Sequence, residues 1–177
     1  SDRLSELLAM GNVELRQPQS ALGRHFGSLW RTFGIPAALS ADNVAVYHGL
    51  SNELPLNIKS AGIASVVTIH DLIYRRVKAD YAAVDRRLYD FKYRRSAENA
   101  TRVIAISECT KRDLISDYNI DPAKIDVIYQ GCDPAFFNKV SGEQCNELRS
   151  RLGLPERFIA SVGTVQSRKN QLLAVKA

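Results

Sequence analysis

Five short apolar runs separated by longer amphipathic stretches restrict this chain to a small group of folds. Residues 44–47 lead into His48-Gly49, residues 64–69 into His70-Asp71, and residues 102–106 into Ser107. Residues 125–129 lead into Gln130-Gly131, and residues 158–162 into Gly163-Thr164. Near-continuous apolar runs of this length suit strands covered on both faces, as in parallel sheets. Between them, Tyr81, Val84, Leu88, Phe91 and Ala97 recur at helical spacing, with Arg86, Arg87, Lys92, Arg94 and Arg95 largely elsewhere, which predicts an amphipathic helix. Ser107 is placed to cap a second helix running through Leu114 to about Tyr118, with Glu108 in its positive first turn. Asp121-Pro122 reads as a third cap with proline at the first helical position. Strand–helix alternation of this kind predicts an α/β fold with a doubly wound parallel sheet.

The rhythm breaks between Asp133 and Glu156, a polar stretch with one short helix expected around Cys145 to Leu152. A fresh strand begins after Pro155, so this stretch reads as a connection into a second domain. The opening Ser1-Asp2-Arg3-Leu4 has no initiator methionine and no first strand, and the last residues stop inside a helical pattern; natural sequence is expected beyond both ends. The 24 Lys and Arg against 19 Asp and Glu leave a charge of +5, which favours polyanionic partners in general without choosing among them. Cys109, Cys132 and Cys145 are odd in number and lack metal-ligand spacing, the pattern of reduced thiols in a cytoplasmic protein. No run approaches the roughly 18 apolar residues of a spanning helix.

In a parallel α/β sheet, ligands bind beyond the carboxyl ends of the strands. His48, His70-Asp71, Ser107 and Gly163-Thr164 all fall at such ends. His70-Asp71 could be a polar pair at a cleft mouth or a turn in which Asp71 satisfies local amides. His48 reads first as a hydrogen-bonded loop histidine, and Ser107 first as a structural cap whose helix start could also hold an anion. Gly163, a polar loop and Arg168-Lys169 ahead of a helix beginning near Asn170 could neutralise a diphosphate; a solvated basic pair is the plain alternative. The spacing is not that of a P-loop. The basic stretch 75–95 reads as the wet side of a surface helix before it reads as a contact for an acidic membrane, and no nucleic-acid signature accompanies it.

Four stretches in order carry a resemblance: 47–55, 66–72, 103–133 and 161–170, the last with Gly163-Thr164 followed by Arg168-Lys169-Asn170. They resemble the retaining glycosyltransferases of the GT-B fold known as family 4, or "group 1". The resemblance implies two Rossmann-like domains facing across a cleft, the first binding acceptor and the second a nucleotide-sugar donor. It divides this chain into an incomplete acceptor domain (1–140), a connection (141–156), and the first strand and helix start of a donor domain (157–177). His70, with Asp71, would reach the transferred sugar. Gly163, Thr164, Arg168 and Lys169 would hold the donor diphosphate in place of a metal ion, so neither metal nor cofactor is expected. His48, Asn52, Glu53 and Ser107 would line the acceptor side, and Gly131 and Asp133 would sit at the hinge. The expected acceptor is a glycan or a lipid-linked sugar, with no nucleic acid and with peripheral contact at the inner membrane face left open. Many relatives carry Arg where this chain has Thr164, a feature it shares with mannosyltransferase-like members. The family's acidic donor-sugar motif lies farther downstream, so the fragment alone is expected to be inactive. A nucleotide-sugar epimerase, a glycogen-synthase-like enzyme and a non-catalytic Rossmann-type binding module remain the rival readings.

Overall fold

The computed structural model of the chain describes residues 2–19 and 21–177. Four helices precede the first strand: α1 (Asp2–Ala9), α2 (Ala21–His25), α3 (Gly27–Leu29) and α4 (Ile35–Ala41), with a π-helical turn at Trp30–Gly34 between the last two. Strand β1 (Val46–Gly49) follows, then β2 (Ala64–Ile69), α5 (Ile73–Arg76) and the long α6 (Ala83–Asn99). β3 (Arg102–Ala105), α7 (Glu108–Tyr118) and β4 (Ile125–Val127) complete the sheet-forming part, and α8 (Gly142–Arg151) and α9 (Gln171–Lys176) lie after it.

The four strands form one sheet in chain order, and every neighbouring pair is parallel. Flanking helices make this a Rossmann-like α/β fold: α6 packs against β2, and α7 against β3 and β4. The register sets His48 beside Val66, and Ile69 beside Ala105. His48-Gly49, His70 and Ile106-Ser107 therefore leave the sheet along the same carboxyl edge. β2 alternates along its length: Ser65, Val67 and Ile69 are buried, while Val66 and Thr68 are half-buried. One face of β2 is thus sealed, and the other is more open than the apolar runs imply.

The core is built from residues between Leu54 and Ile125, with Ile58, Val67, Ile69, Val103, Ala105 and Leu114 sealed from solvent. Ser107 caps α7 as expected, its hydroxyl accepting from the Thr110 amide at 3.1 Å, and Asn119 closes the helix in the left-handed conformation that asparagine tolerates. Asp121 accepts from the Ala123 amide at 2.9 Å and starts a 3-10 turn, Pro122–Lys124. α8 begins with a capping box between Ser141 and Gln144.

Two sequence expectations change. The buried side of α6 is not the stripe through Val84, Leu88 and Phe91, all of which are exposed. It is the side carrying Tyr89, Tyr93 and Ala97, which also follows helical spacing. Aromatic contacts decide between the two: Tyr89 and Tyr93 each meet Tyr74 of α5 edge-on, with centroids 5.9 and 5.6 Å away. The second change concerns residues 158–162, expected to be a strand. A strand requires a hydrogen-bonded neighbour, and this segment has none among the described residues; Ile159 and Val162 are 92% and 97% exposed. No residue from 131 onward is buried.

A polar knot ties α5, α6 and α7 together. The Tyr74 and Tyr118 hydroxyls hydrogen-bond each other, and each reaches Asp90 Oδ1, at 3.3 and 3.4 Å. Arg75 and Arg94 lie over the Tyr118 ring at 5.3 and 4.8 Å. Burial, followed by the partner hydroxyl, pushes Tyr74 far above the usual phenol range, and burial pushes Tyr118 up to about 12. A phenol raised in the folded state keeps its proton when the unfolded chain has lost it, so folding stability is intact below pH ~10 and falls as pH rises above it. Denaturant melts at pH 8, 10 and 11 should show this alkaline loss, and Tyr74→Phe, which removes the phenol raised farthest, should reduce it.

Candidate functional site

The carboxyl edge of the sheet is organised around His70, whose four polar groups are each bound, by partners from three segments. Its amide donates to Asn52 Oδ1 at 2.7 Å. Its carbonyl accepts from the Thr110 hydroxyl at 3.1 Å. Nε2 lies 2.8 Å from the Leu50 carbonyl. A carbonyl only accepts, so Nε2 carries the proton. Nδ1 is then free to accept from the Gln130 amide, 3.4 Å away. That long contact to an exposed glutamine is the one a ligand hydroxyl could most readily replace. Because the Thr110 proton points at His70, the 3.0 Å contact between the Ser107 and Thr110 hydroxyls must run from Ser107 to Thr110. A hydroxyl relay thus links the start of α7 to the His70 backbone.

The loop after β1 is pinned just as closely. Asn52, at φ 61°, donates its amide to the Thr68 carbonyl at 2.9 Å while its side chain holds His70. The Leu54 amide donates to the buried Ser96 hydroxyl of α6 at 2.8 Å, and Glu53 pairs with Lys92 at 3.0 Å. Gly49 makes the tight return available: a Cβ there would sit 2.3 Å from the Glu53 carbonyl oxygen. His48 turns back to the sheet, with Nε2 2.8 Å from the Thr68 hydroxyl. A cavity of about 350 Å³ opens beside this loop, lined by Gly49, Leu50, Ser51 and Glu53 together with Arg31 and Lys92.

The expected residues therefore fall into two groups. His48, Asn52, His70 and Ser107 converge in one hydrogen-bonded unit, with Glu53 at its flank. Asp71 adjoins it, and its carboxylate accepts from the Ile73 amide at 3.1 Å, the local turn contact that its spacing allowed. Gly163, Thr164, Arg168 and Lys169 form a separate turn. There Gly163 has φ 139°, and a Cβ on it would lie 2.8 Å from Lys169 Nζ. The Thr164 carbonyl accepts from the Gln171 side chain at 3.2 Å. Among the described residues this turn makes no hydrogen bond to His70. It is tied instead to the segment after α5, where Asp80 accepts from the Ser167 hydroxyl and from the Arg168 amide, the latter at 3.2 Å. Gly131 is exposed, and Asp133 accepts from the Ala135 amide at 2.9 Å, opening the turn Pro134–Phe137.

Thr110, Gln130, Ser96 and Asp80 went unread in the sequence. Thr110 had a signal, since it stands three residues after a cap, where a hydroxyl can turn back. The others act across gaps of 42 to 87 residues with no local pattern. Among the described residues no group of His, Cys, Asp or Glu side chains could hold a metal ion, and no helix is long and apolar enough to cross a membrane.

A parallel α/β sheet flanked by helices, with a braced histidine at its carboxyl edge, defines a Rossmann-like domain. Residues 12–136 match Glycosyltransferase Family 4, and the chain belongs to that family. It is 31% identical over 157 residues to the D-inositol 3-phosphate glycosyltransferase of Salinispora tropica, covering 83% of this chain and 32% of that protein. With the enzyme of the same name from Salinispora arenicola it shares 36% over 83 residues, 44% of this chain and 18% of the relative. The chain thus spans a third or less of the length of these relatives. A glycosyltransferase crystal structure from Rickettsia africae shares the fold, with a TM-score of 0.52 at 17% identity over 86% of this chain and 39% of that one.

Proposed function

We propose that this chain supplies the acceptor-binding wall of a GT-B enzyme that moves a sugar, with retention, from a nucleoside-diphosphate sugar to a glycan or lipid-linked acceptor. In this reading residues 1–140 form the acceptor domain, 141–156 the connection, and 157–177 the start of the donor domain. The observation that carries it is the four-way bracing of His70 at the carboxyl edge of the sheet in a Family 4 chain. A rigidly held imidazole costs no reorganisation when charge develops beside it. The Nδ1 lone pair faces outward and can accept from a sugar hydroxyl in place of Gln130. Arg168 and Lys169 neutralise the departing diphosphate, Arg168 through its fork of donors and Lys169 as a point charge. Gly163, lacking a Cβ, leaves room for the Lys169 ammonium. No metal ion is needed in this scheme, and the reading places the enzyme in the cytoplasm, with peripheral contact at the inner membrane face left open.

Transfer and donor-hydrolysis assays on the complete two-domain enzyme test the reading. Arg168→Ala or Lys169→Ala should each lower kcat/KM for the donor about tenfold, the scale of one charged hydrogen bond. Unchanged turnover in the double variant would remove the diphosphate role.

A further inference from the structure

A groove of about 650 Å³ lies among α5, α6 and α7 and the turn Lys78–Asp80. Its lining holds six cations, Arg75, Arg76, Lys78, Arg86, Arg87 and Arg94, against two carboxylates, Asp90 and Asp117. Both carboxylates are already engaged: Asp90 by Arg75 and Arg94, and Asp117 by Arg75 and Arg76 at 3.2 and 3.6 Å. Arg76 is further held by Asp113 at 2.7 Å. That leaves Lys78, Arg86 and Arg87, whose side chains have no partner among the described residues. Arg86 Nε is moreover buried without any hydrogen-bond acceptor. A buried donor in that condition is costly, and each such group calls for an explanation. Three unpaired cations in one concavity of small-molecule size, one with an orphaned donor, lack a compact multivalent anion. A single carboxylate would leave most of this charge unanswered, whereas a phosphate offers two charges and oxygens that match the guanidinium fork.

We propose that this groove binds a phosphate group of a ligand, held by Arg86, Arg87 and Lys78, cations that take no part in the bonds at His70 or in the turn of Arg168 and Lys169. Phe91 also lines the groove, and on α6 it shares an exposed face with Val84 and Leu88. An apolar rim beside cations suits a phosphate borne on a lipid as well as a free one.

Calorimetric titration of the full chain with inorganic phosphate at low ionic strength reads the first source. Sedimentation with phosphatidic acid vesicles reads the second. Binding of either probe should weaken about tenfold in Arg86→Ala and in Lys78→Ala. Arg87→Gln, at an exposed position, gives the same reading should Arg86→Ala fail to fold. Arg151→Ala and Arg157→Ala, exposed cations outside the groove, should leave the binding unchanged, which separates the groove from general surface charge. Phosphate binding in solution identifies a free phosphorylated ligand, and binding to vesicles alone identifies a lipid headgroup. The assignment is overturned if the native chain binds neither probe, or if the groove variants bind as tightly as the native chain.

Discussion

Replacing His70 with alanine should lower kcat of the complete enzyme by about a hundredfold or more, the scale on which one preorganised electrostatic or hydrogen-bonding group contributes. The substitution removes the ring bonds to Leu50 and Gln130 but keeps the backbone bonds to Asn52 and Thr110. The strand end should therefore stay in place, and the loss should fall on turnover rather than on folding. Gln130→Ala is the informative companion. It frees Nδ1 without touching the ring, so an enzyme whose substrate displaces Gln130 should keep its kcat within a fewfold. If His70→Ala turned over within threefold of the native enzyme while melting normally, the imidazole would have no part in transfer.

Leu114→Ala should produce the largest loss of stability, about 2–5 kcal/mol, with Tm lower by roughly 10 °C. Leu114 is sealed from solvent in α7, and that helix packs on β3 and β4. Truncation leaves a cavity that a helix fixed at both ends cannot collapse to fill: Ser107 holds one end, and the left-handed Asn119 closes the other. Chemical denaturation of the chain measures the effect directly. A loss under 1 kcal/mol would mean that α7 shifts to close the gap. Because α7 also carries Thr110, such a shift would show as reduced activity despite preserved stability.

The ends of β1, β2 and β3 were readable because their apolar runs stop at His48, His70 and Ser107, residues that suit the exit from a sheet. Ser107 was readable for the same local reason, a cap three residues before the amide it serves. The α6 face was not. Two stripes on that helix satisfy helical spacing, and the packing of Tyr74 from α5 on Tyr89 and Tyr93 chooses between them. The segment 158–162 has strand composition, but a strand is a relation between two segments, and composition describes only one. The site was legible as a set of positions but not as a set of bonds. His48, Asn52, His70 and Ser107 could each be placed at the edge of the sheet, whereas the roles of Thr110, Gln130 and Asp80 emerge from contacts that only the folded chain creates.

The four attachments of His70 have a bearing on how this edge tolerates change. A residue fixed from the loop after β1, from α7 and from the exit of β4 is overdetermined, so the loss of any one attachment leaves the others to hold it in register. Variation at Asn52, Thr110 or Gln130 taken singly would then be absorbed, and combined changes would fail abruptly rather than by addition. Such redundancy allows neighbouring loops to diverge in sequence while the central imidazole keeps its place.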